Sequence, residues 1–176
     1  KLQVALALAG ALACVLLELV HYRAHALAAA SSFCSIGQSF DCTSVTLSRY
    51  SVWLGLPLPL WGLVGFLVLG AAAWRRSPWL LPLTALATLA SLALLLVELF
   101  VVGSVCLLCE LVHVLCVALL LVAWRGRKRE PARPFSVSDA SYLFAPASGV
   151  LLALRLFVPQ YWGAFDWRDS LPFAQG

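Results

Sequence analysis

The chain has 176 residues, of which 62% are hydrophobic and 11% are charged, and its mean hydropathy is +0.94. An ordinary soluble domain carries roughly 25% charged residues, so this composition excludes a soluble enzyme, a disordered chain and a nucleic-acid-binding protein. Because a membrane-spanning helix needs about 20 apolar residues, the length leaves room for about four or five spans. The sequence therefore predicts an integral membrane protein in contact with lipid.

The apolar residues fall into five runs, at residues 2–20, 54–74, 79–102, 105–124 and 142–158. We expect each run to form a helix, because a helix satisfies its own backbone polar groups inside hydrocarbon. The predicted fold is all-α: an integral membrane four-helix bundle over residues 1–124, followed by a fifth transmembrane helix. The first run is also short enough to be a signal peptide, with residues 28–30 at its cleavage site.

The basic residues predict the orientation in the membrane. If every run crosses once, eight of the twelve Lys and Arg residues lie on one side: Lys1, Arg75, Arg76, Arg125, Arg127, Lys128, Arg129 and Arg133. An excess of Lys and Arg marks the cytoplasmic side, so residues 125–141 are predicted to be a cytoplasmic basic linker. The loop 23–53, the turn 102–106 and the tail 159–176 are then expected to be extracytoplasmic.

The six cysteines divide by position. Cys14 and Cys116 lie inside apolar runs, where a free cysteine usually packs as a small hydrophobic residue. The other four lie on the predicted outer side, where disulfides are permitted: Cys34 and Cys42 in the loop, and Cys106 and Cys109 in a C-x-x-C motif at the start of the fourth run.

The C-x-x-C motif indicates redox chemistry. Its first sulfur lies near the positive end of a helix, which favours the thiolate and makes an exchangeable disulfide; Ser104 is a candidate cap for that helix. At 100° per residue, Cys106, Cys109, His113 and Cys116 share one face within an arc of about 80°. His113 lies near membrane depth, where a polar side chain needs a partner inside the bundle.

Two cysteine pairs on the same side of the membrane predict an electron relay. The loop pair would exchange with a soluble thiol protein and then with the C-x-x-C motif. The electrons next need a lipid-soluble acceptor, and a quinone is the natural candidate. Cys109 would reach this quinone while His113 donates a hydrogen bond to its carbonyl. Trp61 and Phe66 of the second run either line a flat aromatic pocket or face lipid.

Other interpretations stay open. The protein could be a membrane scaffold or small transporter with structural disulfides, or a metal transporter that uses the C-x-x-C motif and His113 as ligands. Glu18 and Glu98 lie near the outer ends of their runs, where they are either functional or simply hydrated. We expect His21 and His25 to lie in water.

Four motifs follow one another along the chain: Cys34-x7-Cys42, Ser48-Arg49-Tyr50-Ser51, Gly55-Leu56-Pro57-Leu58-Pro59-Leu60-Trp61-Gly62 and Cys106-Leu107-Leu108-Cys109. In combination they resemble the vitamin K epoxide reductase family, in particular its bacterial homologues, over about the first 125 residues. The resemblance implies a four-helix bundle around a quinone, with Cys106 and Cys109 as the active-site pair and Cys109 reacting with the quinone. It also implies that Cys34 and Cys42 pass electrons in from a thioredoxin-like partner, and that Ser48 lies near the active site.

The resemblance also implies a location and a set of partners. These are a bacterial inner membrane with the cysteine pairs on the periplasmic side, ubiquinone or menaquinone as the acceptor, and a thioredoxin-like protein that is fused or separate. Animal members carry Tyr one turn after the second active-site cysteine, where this chain has His113, so the quinone preference stays open. Many bacterial members continue into a fused thioredoxin-like domain. We therefore expect this chain to be a piece of a longer precursor that stops before such a domain.

A second class of quinone-linked four-helix thiol oxidase also combines two cysteine pairs. In that class the C-x-x-C motif comes in the first outer loop and the widely spaced pair in the second. The order is reversed in this chain, which favours the resemblance to the vitamin K epoxide reductase family.

Overall fold

The computed structural model describes residues 1–27, 41–127 and 137–160. Within these ranges the chain forms six α-helices, one short hairpin and two short helical turns. The elements in chain order are α1 (Leu2–Ala26), α2 (Cys42–Leu47), a 3-10 turn (Arg49–Ser51), β1 (Val52–Trp53), β2 (Leu56–Pro57), α3 (Leu58–Trp74), α4 (Leu80–Val97), a π-helical turn (Glu98–Val102), α5 (Leu107–Arg127) and α6 (Val137–Phe157).

The predicted all-α membrane bundle is confirmed. Four helical segments of the described residues are long and apolar enough to cross a membrane: Leu2–Ala26, Leu80–Val102, Leu107–Gly126 and Val137–Phe157. Helix α3 is also apolar and has 17 residues. Helix α1 packs against α3 and α5, α4 packs against α5, and α6 packs against α3. The fifth predicted span therefore joins the bundle through α3.

Several helix ends differ from the ends of the apolar runs. Helix α1 continues to Ala26, beyond the run at 2–20, and α6 begins at Val137 rather than at residue 142. Because α5 continues to Arg127, helix occupies both ends of the predicted linker 125–141. The rest of that linker and the tail from residue 161 lie outside the described residues.

The second apolar run begins as a hairpin instead of a helix. Leu54 and Gly55, with φ of 50° and 72°, close the turn between the antiparallel strands β1 and β2. Two positive φ values are what a tight two-residue hairpin turn requires. Helix α3 begins only at Leu58, with Pro59 in its first turn, where the missing N–H costs nothing. The Arg155 side chain of α6 lies against this turn. A Cβ added to Gly55 would be only 2.8 Å from the Arg155 Nε.

Helices α1 and α3 approach each other closely at glycines. A Cβ on Gly62 of α3 would lie 2.8 Å from the Cys14 sulfur, and a Cβ on Gly10 of α1 would overlap the ring of Phe66. Small residues at a helix interface in a membrane allow such close backbone approach. Cys14 and Cys116 are both buried in the main core cluster, which agrees with the packing role expected for them.

The close contact at Gly62 gives a test of this packing. Gly62→Ala should lower the free energy of unfolding by about 1–3 kcal/mol, because its Cβ forces Cys14 and the two helices apart. Gly65→Ala is the matched control: it changes the same helix, but no atom lies within 4 Å of the added Cβ. Since Ala favours helix over Gly by about 1 kcal/mol, the control should be neutral or stabilising. Thermal unfolding of the protein in detergent measures both variants, and equal midpoints would contradict the packing described.

Candidate active site

Cys106 immediately precedes α5 and is fully buried. Its sulfur accepts a hydrogen bond from the backbone N–H of Cys109 at 3.4 Å. Its carbonyl accepts a hydrogen bond from the N–H of Glu110 at 2.9 Å. Cys106 therefore caps the start of α5 with its own sulfur, at the end of the helix where unpaired N–H groups concentrate positive charge.

This environment lowers the pKa of the Cys106 thiol. The largest cause is the hydrogen bond with the Cys109 side chain, and the backbone N–H groups of Cys109 and Leu108 act in the same direction. Burial and the negative charge of Glu98 oppose the shift. The net effect is a lowered pKa of Cys106, which favours a thiolate at the start of α5, as expected for an exchangeable C-x-x-C motif.

Glu98 holds the backbone of Cys106, in place of the predicted cap Ser104. It opens the π-helical turn Glu98–Val102, which ends at Gly103, where φ is 72° and the N–H donates to the Glu98 carbonyl at 2.9 Å. The Glu98 Oε1 accepts the hydrogen bond of the Cys106 N–H. Glu98 is only 4% exposed, so the interpretation that it is simply hydrated at the membrane surface is wrong.

His113 lies one turn beyond Cys109, and its ring faces the α4 side of the bundle. It is 7% exposed, and its Nδ1 lies 2.5 Å from the Ser91 hydroxyl. Its Nε2 lies 3.8 Å from the Glu98 Oε2, which is too long for a hydrogen bond. The expectation that His113 has a partner inside the bundle is therefore met by Ser91. Cys109 is half-buried and is a free thiol.

A polar stripe on α4 was not singled out by the sequence analysis. Thr84, Thr88 and Ser91 are all buried, and the Thr88 hydroxyl donates to the carbonyl of Cys116 on α5 at 3.2 Å. Their spacing of four and three residues places them on one face of an otherwise apolar helix. That spacing is a signal in the sequence from which the polar side of α4 could have been predicted.

Cys42 lies next to the C-x-x-C motif. It is the first residue of α2, is fully buried and is disulfide-bonded. Cys42 and Cys106 belong to one core cluster together with Leu17 and Val20 of α1. The N–H of Asp41 donates to the Val105 carbonyl at 3.1 Å, which joins the chain before Cys42 to the chain before Cys106. Cys34 lies outside the described residues.

Asp41 fixes the start of α2. Its Oδ1 accepts the N–H of Thr43 at 2.9 Å, and its Oδ2 accepts the Ser44 hydroxyl at 2.5 Å. An aspartate at this position is a favourable helix N-cap. The short helix that carries Cys42 is therefore held both by its cap and by the backbone bond to Val105.

The histidines of the outer loop differ from their expected exposure. His21 is 1% exposed, and its Nε2 lies 3.4 Å from the Ser51 hydroxyl. The rings of His21 and His25 stack with their centres 4.2 Å apart. The expectation that His21 lies in water is therefore wrong, because α1 continues past it and buries it against the segment after α2.

The other predicted quinone-binding residues have their own local contacts. Ser48 ends α2, and its hydroxyl donates to the backbone of that helix at 2.7 Å. The Trp61 indole N–H donates to the Trp53 carbonyl at 3.0 Å, which joins α3 to the hairpin. Phe66 is buried between α1 and α3 and lines an apolar groove that reaches Arg75 at the end of α3. These contacts involve neither Cys109 nor His113.

The metal hypothesis grouped the C-x-x-C motif with His113. In the part of the chain that the structure describes, the group whose polar atoms converge consists instead of Glu98, Glu110 and His113. One oxygen or nitrogen atom from each lies within 4.8 Å of the others. Neither Cys106 nor Cys109 belongs to this group, so the geometry does not support the ligand set that the sequence suggested.

The chain also matches a known protein family. Residues 1–124 match the sequence model of the vitamin K epoxide reductase family. The matched range includes both cysteine pairs, Glu98 and His113, and extends through most of α5. Helix α6 lies beyond it. No curated protein sequence matches the chain.

The cap of α2 gives a testable consequence for Cys42. Asp41→Ala removes a cap worth about 1 kcal/mol, so local opening of α2 should increase about fivefold. The Cys42 disulfide, which is buried, should then be reduced about fivefold faster by a water-soluble phosphine, as measured by alkylation and mass spectrometry. Asp41→Asn preserves a side-chain acceptor and should stay near the wild-type rate. Equal rates in all three proteins would contradict the proposed role of the cap.

Proposed function

Because the chain belongs to the vitamin K epoxide reductase family, we propose that it is a membrane thiol:quinone oxidoreductase that makes disulfides in exported proteins. The family consists of membrane oxidoreductases that in general use quinones, and this chain is a multi-pass membrane protein. What we propose beyond this is the path of the electrons, the side of the membrane and the role in disulfide formation.

One observation carries the proposal: Cys42 and Cys106 pack in the same small core cluster, and a backbone hydrogen bond joins the residues that precede them. Exchange between two cysteine pairs needs such proximity, because a thiolate must attack a sulfur of the other pair directly. We assign Cys34 as the partner of Cys42, so that a thioredoxin-like protein reduces the loop pair first. The loop pair then reduces the Cys106–Cys109 disulfide.

The two cysteines of the C-x-x-C motif have different tasks in this proposal. Cys106 lies beside Cys42, so a loop thiolate attacks the Cys106 sulfur of the disulfide. The lowered pKa of Cys106 then makes it the better leaving group when the second loop cysteine resolves the mixed disulfide. Cys109 also packs against the core cluster of Cys42 and Cys106, but it lies one turn before His113 on α5 and passes the electrons on. A bound quinone accepts two electrons and two protons, and the two thiols close to a disulfide.

The environment of His113 fits a quinone carbonyl. Its Nε2 is buried and has no hydrogen-bond partner among the described residues. With the Ser91 hydroxyl at Nδ1, Nε2 is the ring atom left to donate to a ligand oxygen. Ser48, Trp61 and Phe66 remain proposed members of the site, on the basis of the resemblance for Ser48 and of sequence position for the two aromatic residues. Ubiquinone and menaquinone both offer the carbonyl that this site requires.

The orientation also has support from the positions of charge. Cys42 and Cys106 lie at one end of the bundle. At the opposite end, Arg75 and Arg76 follow α3 and Arg125 lies in the last turn of α5, and all three are exposed. The positive-inside rule makes the arginine side cytoplasmic. We therefore propose a bacterial inner membrane protein whose cysteine pairs are periplasmic, with a thioredoxin-like partner that is fused or separate.

Cysteine variants test the electron path in order. Cys109→Ser should abolish quinone reduction with every donor, because no disulfide can then close. Cys34→Ser or Cys42→Ser should block reduction by a thioredoxin-like protein but spare reduction by a small dithiol that reaches the C-x-x-C motif directly. Quinone absorbance measures the rate in detergent, and Cys14→Ala, a buried core variant, is the control. If both donors fail equally in the loop variants, the relay is wrong; no quinone reduction by the wild type would favour a scaffold with structural disulfides.

A substitution at His113 tests quinone binding. His113→Phe removes one hydrogen bond worth about 0.5–1.5 kcal/mol, so kcat/KM for the quinone should fall by about 2- to 13-fold. Steady-state rates at varied quinone concentration separate KM from kcat. Thiol–disulfide exchange of Cys106 and Cys109 without quinone should stay unchanged. An unaltered kcat/KM would remove His113 from the site.

A further inference from the structure

We propose that Glu110, Glu98 and His113 form a proton path from the outer aqueous side to the quinone site, with Glu98 as the buried carrier. This inference rests on the proposed function and adds the route of the protons. In the overall step two S–H bonds break, one S–S bond forms, and two O–H bonds form on the hydroquinone. The thiol protons leave to the outer water, and the quinone oxygens are protonated from the same water, so protons and electrons balance with no further reactant.

The carboxylate of Glu98 is oriented by its hydrogen bond to the Cys106 amide. That bond occupies Oε1, which leaves Oε2 directed toward the Nε2 of His113 at 3.8 Å. Glu98 is 4% exposed and has no Lys or Arg partner among the ion pairs of the described residues. A carboxyl group in such a place is costly in a membrane protein unless it has a function or a partner. Here its free oxygen faces the imidazole.

The buried imidazole of His113 supports the proton path independently of Glu98. It is 7% exposed, and its Nε2 has no hydrogen-bond partner within the described chain. The Ser91 hydroxyl lies at Nδ1 and can donate to it, which places the ring hydrogen on Nε2. A proton given from Nε2 to a quinone oxygen would then have to be replaced. Glu98, whose Oε2 lies 3.8 Å from Nε2, can replace it.

Glu110 extends the group toward water. It lies in the first turn of α5, is half-buried, and offers a carboxylate oxygen within 4.8 Å of the Glu98 and His113 atoms. Two carboxylates this close repel each other unless a proton or a positive charge lies between them. The thiols of Cys106 and Cys109 are the other titratable groups whose charges act in this neighbourhood. The three side chains thus form a continuous set of proton carriers from the half-exposed Glu110 to the buried imidazole.

The alternative is that Glu98 only holds the backbone of Cys106. Glu98→Gln separates the two roles, because the Gln carbonyl oxygen still accepts the Cys106 N–H but cannot carry a proton. A positioned acid or base contributes about 100-fold or more to a rate. We therefore expect quinone reduction by a small dithiol to fall about 100-fold in Glu98→Gln. Exchange of the Cys106–Cys109 pair with the same dithiol, followed by alkylation without quinone, should not slow, because removal of the Glu98 charge also favours the Cys106 thiolate.

Glu98→Ala and Asp139→Asn complete the experiment on the full chain in detergent. Glu98→Ala leaves space for a small acid, so acetate should restore quinone reduction in a concentration-dependent manner that chloride at equal ionic strength does not match. Asp139→Asn neutralises an acid in the first turn of α6 and should retain the wild-type rate. The proposal is overturned by a wild-type rate in Glu98→Gln, by parallel loss of thiol exchange, by equal slowing in Asp139→Asn, or by acetate acting no better than chloride. The wild-type rate itself tests the proposed function separately.

Discussion

The hydrogen bond from the Cys106 amide to the Glu98 carboxylate joins the end of α4 to the start of α5. Without it, the amide of Cys106 would be a buried donor without a partner, at a cost of about 1–3 kcal/mol. The bond sets where α5 begins, and therefore places the Cys106 sulfur over the N–H of Cys109. It also fixes the carboxylate that faces His113. The start of the C-x-x-C motif and the carboxylate beside the imidazole are thus positioned by the same polar contact, while Ser91 holds the imidazole from the α4 side.

The contact between α1 and α3 differs in chemistry from the contact between α4 and α5. Helices α1 and α3 meet through glycines and the Cys14 sulfur, so their contact is close and apolar. Helices α4 and α5 meet through buried hydroxyl groups, including the bonds from Thr88 to Cys116 and between Ser91 and His113. Polar groups in a membrane protein collect where they can satisfy one another. The proposed chemistry lies on the polar α4–α5 contact, while Leu17 and Val20 of α1 pack against both Cys42 and Cys106.

The sequence predicts the spans well because the length of an apolar run and the need for backbone hydrogen bonds are local properties. The position of Cys106 at a helix start follows from the same reasoning. The burial of Glu98 could not be predicted in this way, because it depends on a π-helical turn that changes which face the residue presents. The packing of Cys42 beside Cys106 likewise depends on the contact between α2 and α1, which joins segments far apart in the chain.

The hairpin explains why α6 belongs to the bundle although the family match ends before it. Leu54 and Gly55 need positive φ, and the absent side chain of Gly55 leaves the space that the Arg155 guanidinium occupies. Arg155 is otherwise a charged residue near the end of an apolar helix, and such side chains extend toward the polar boundary of the membrane. The Trp53 carbonyl of the hairpin also accepts a hydrogen bond from the Trp61 indole N–H. The short turn therefore contacts both α3 and α6 at the same end of the bundle as Cys42 and Cys106.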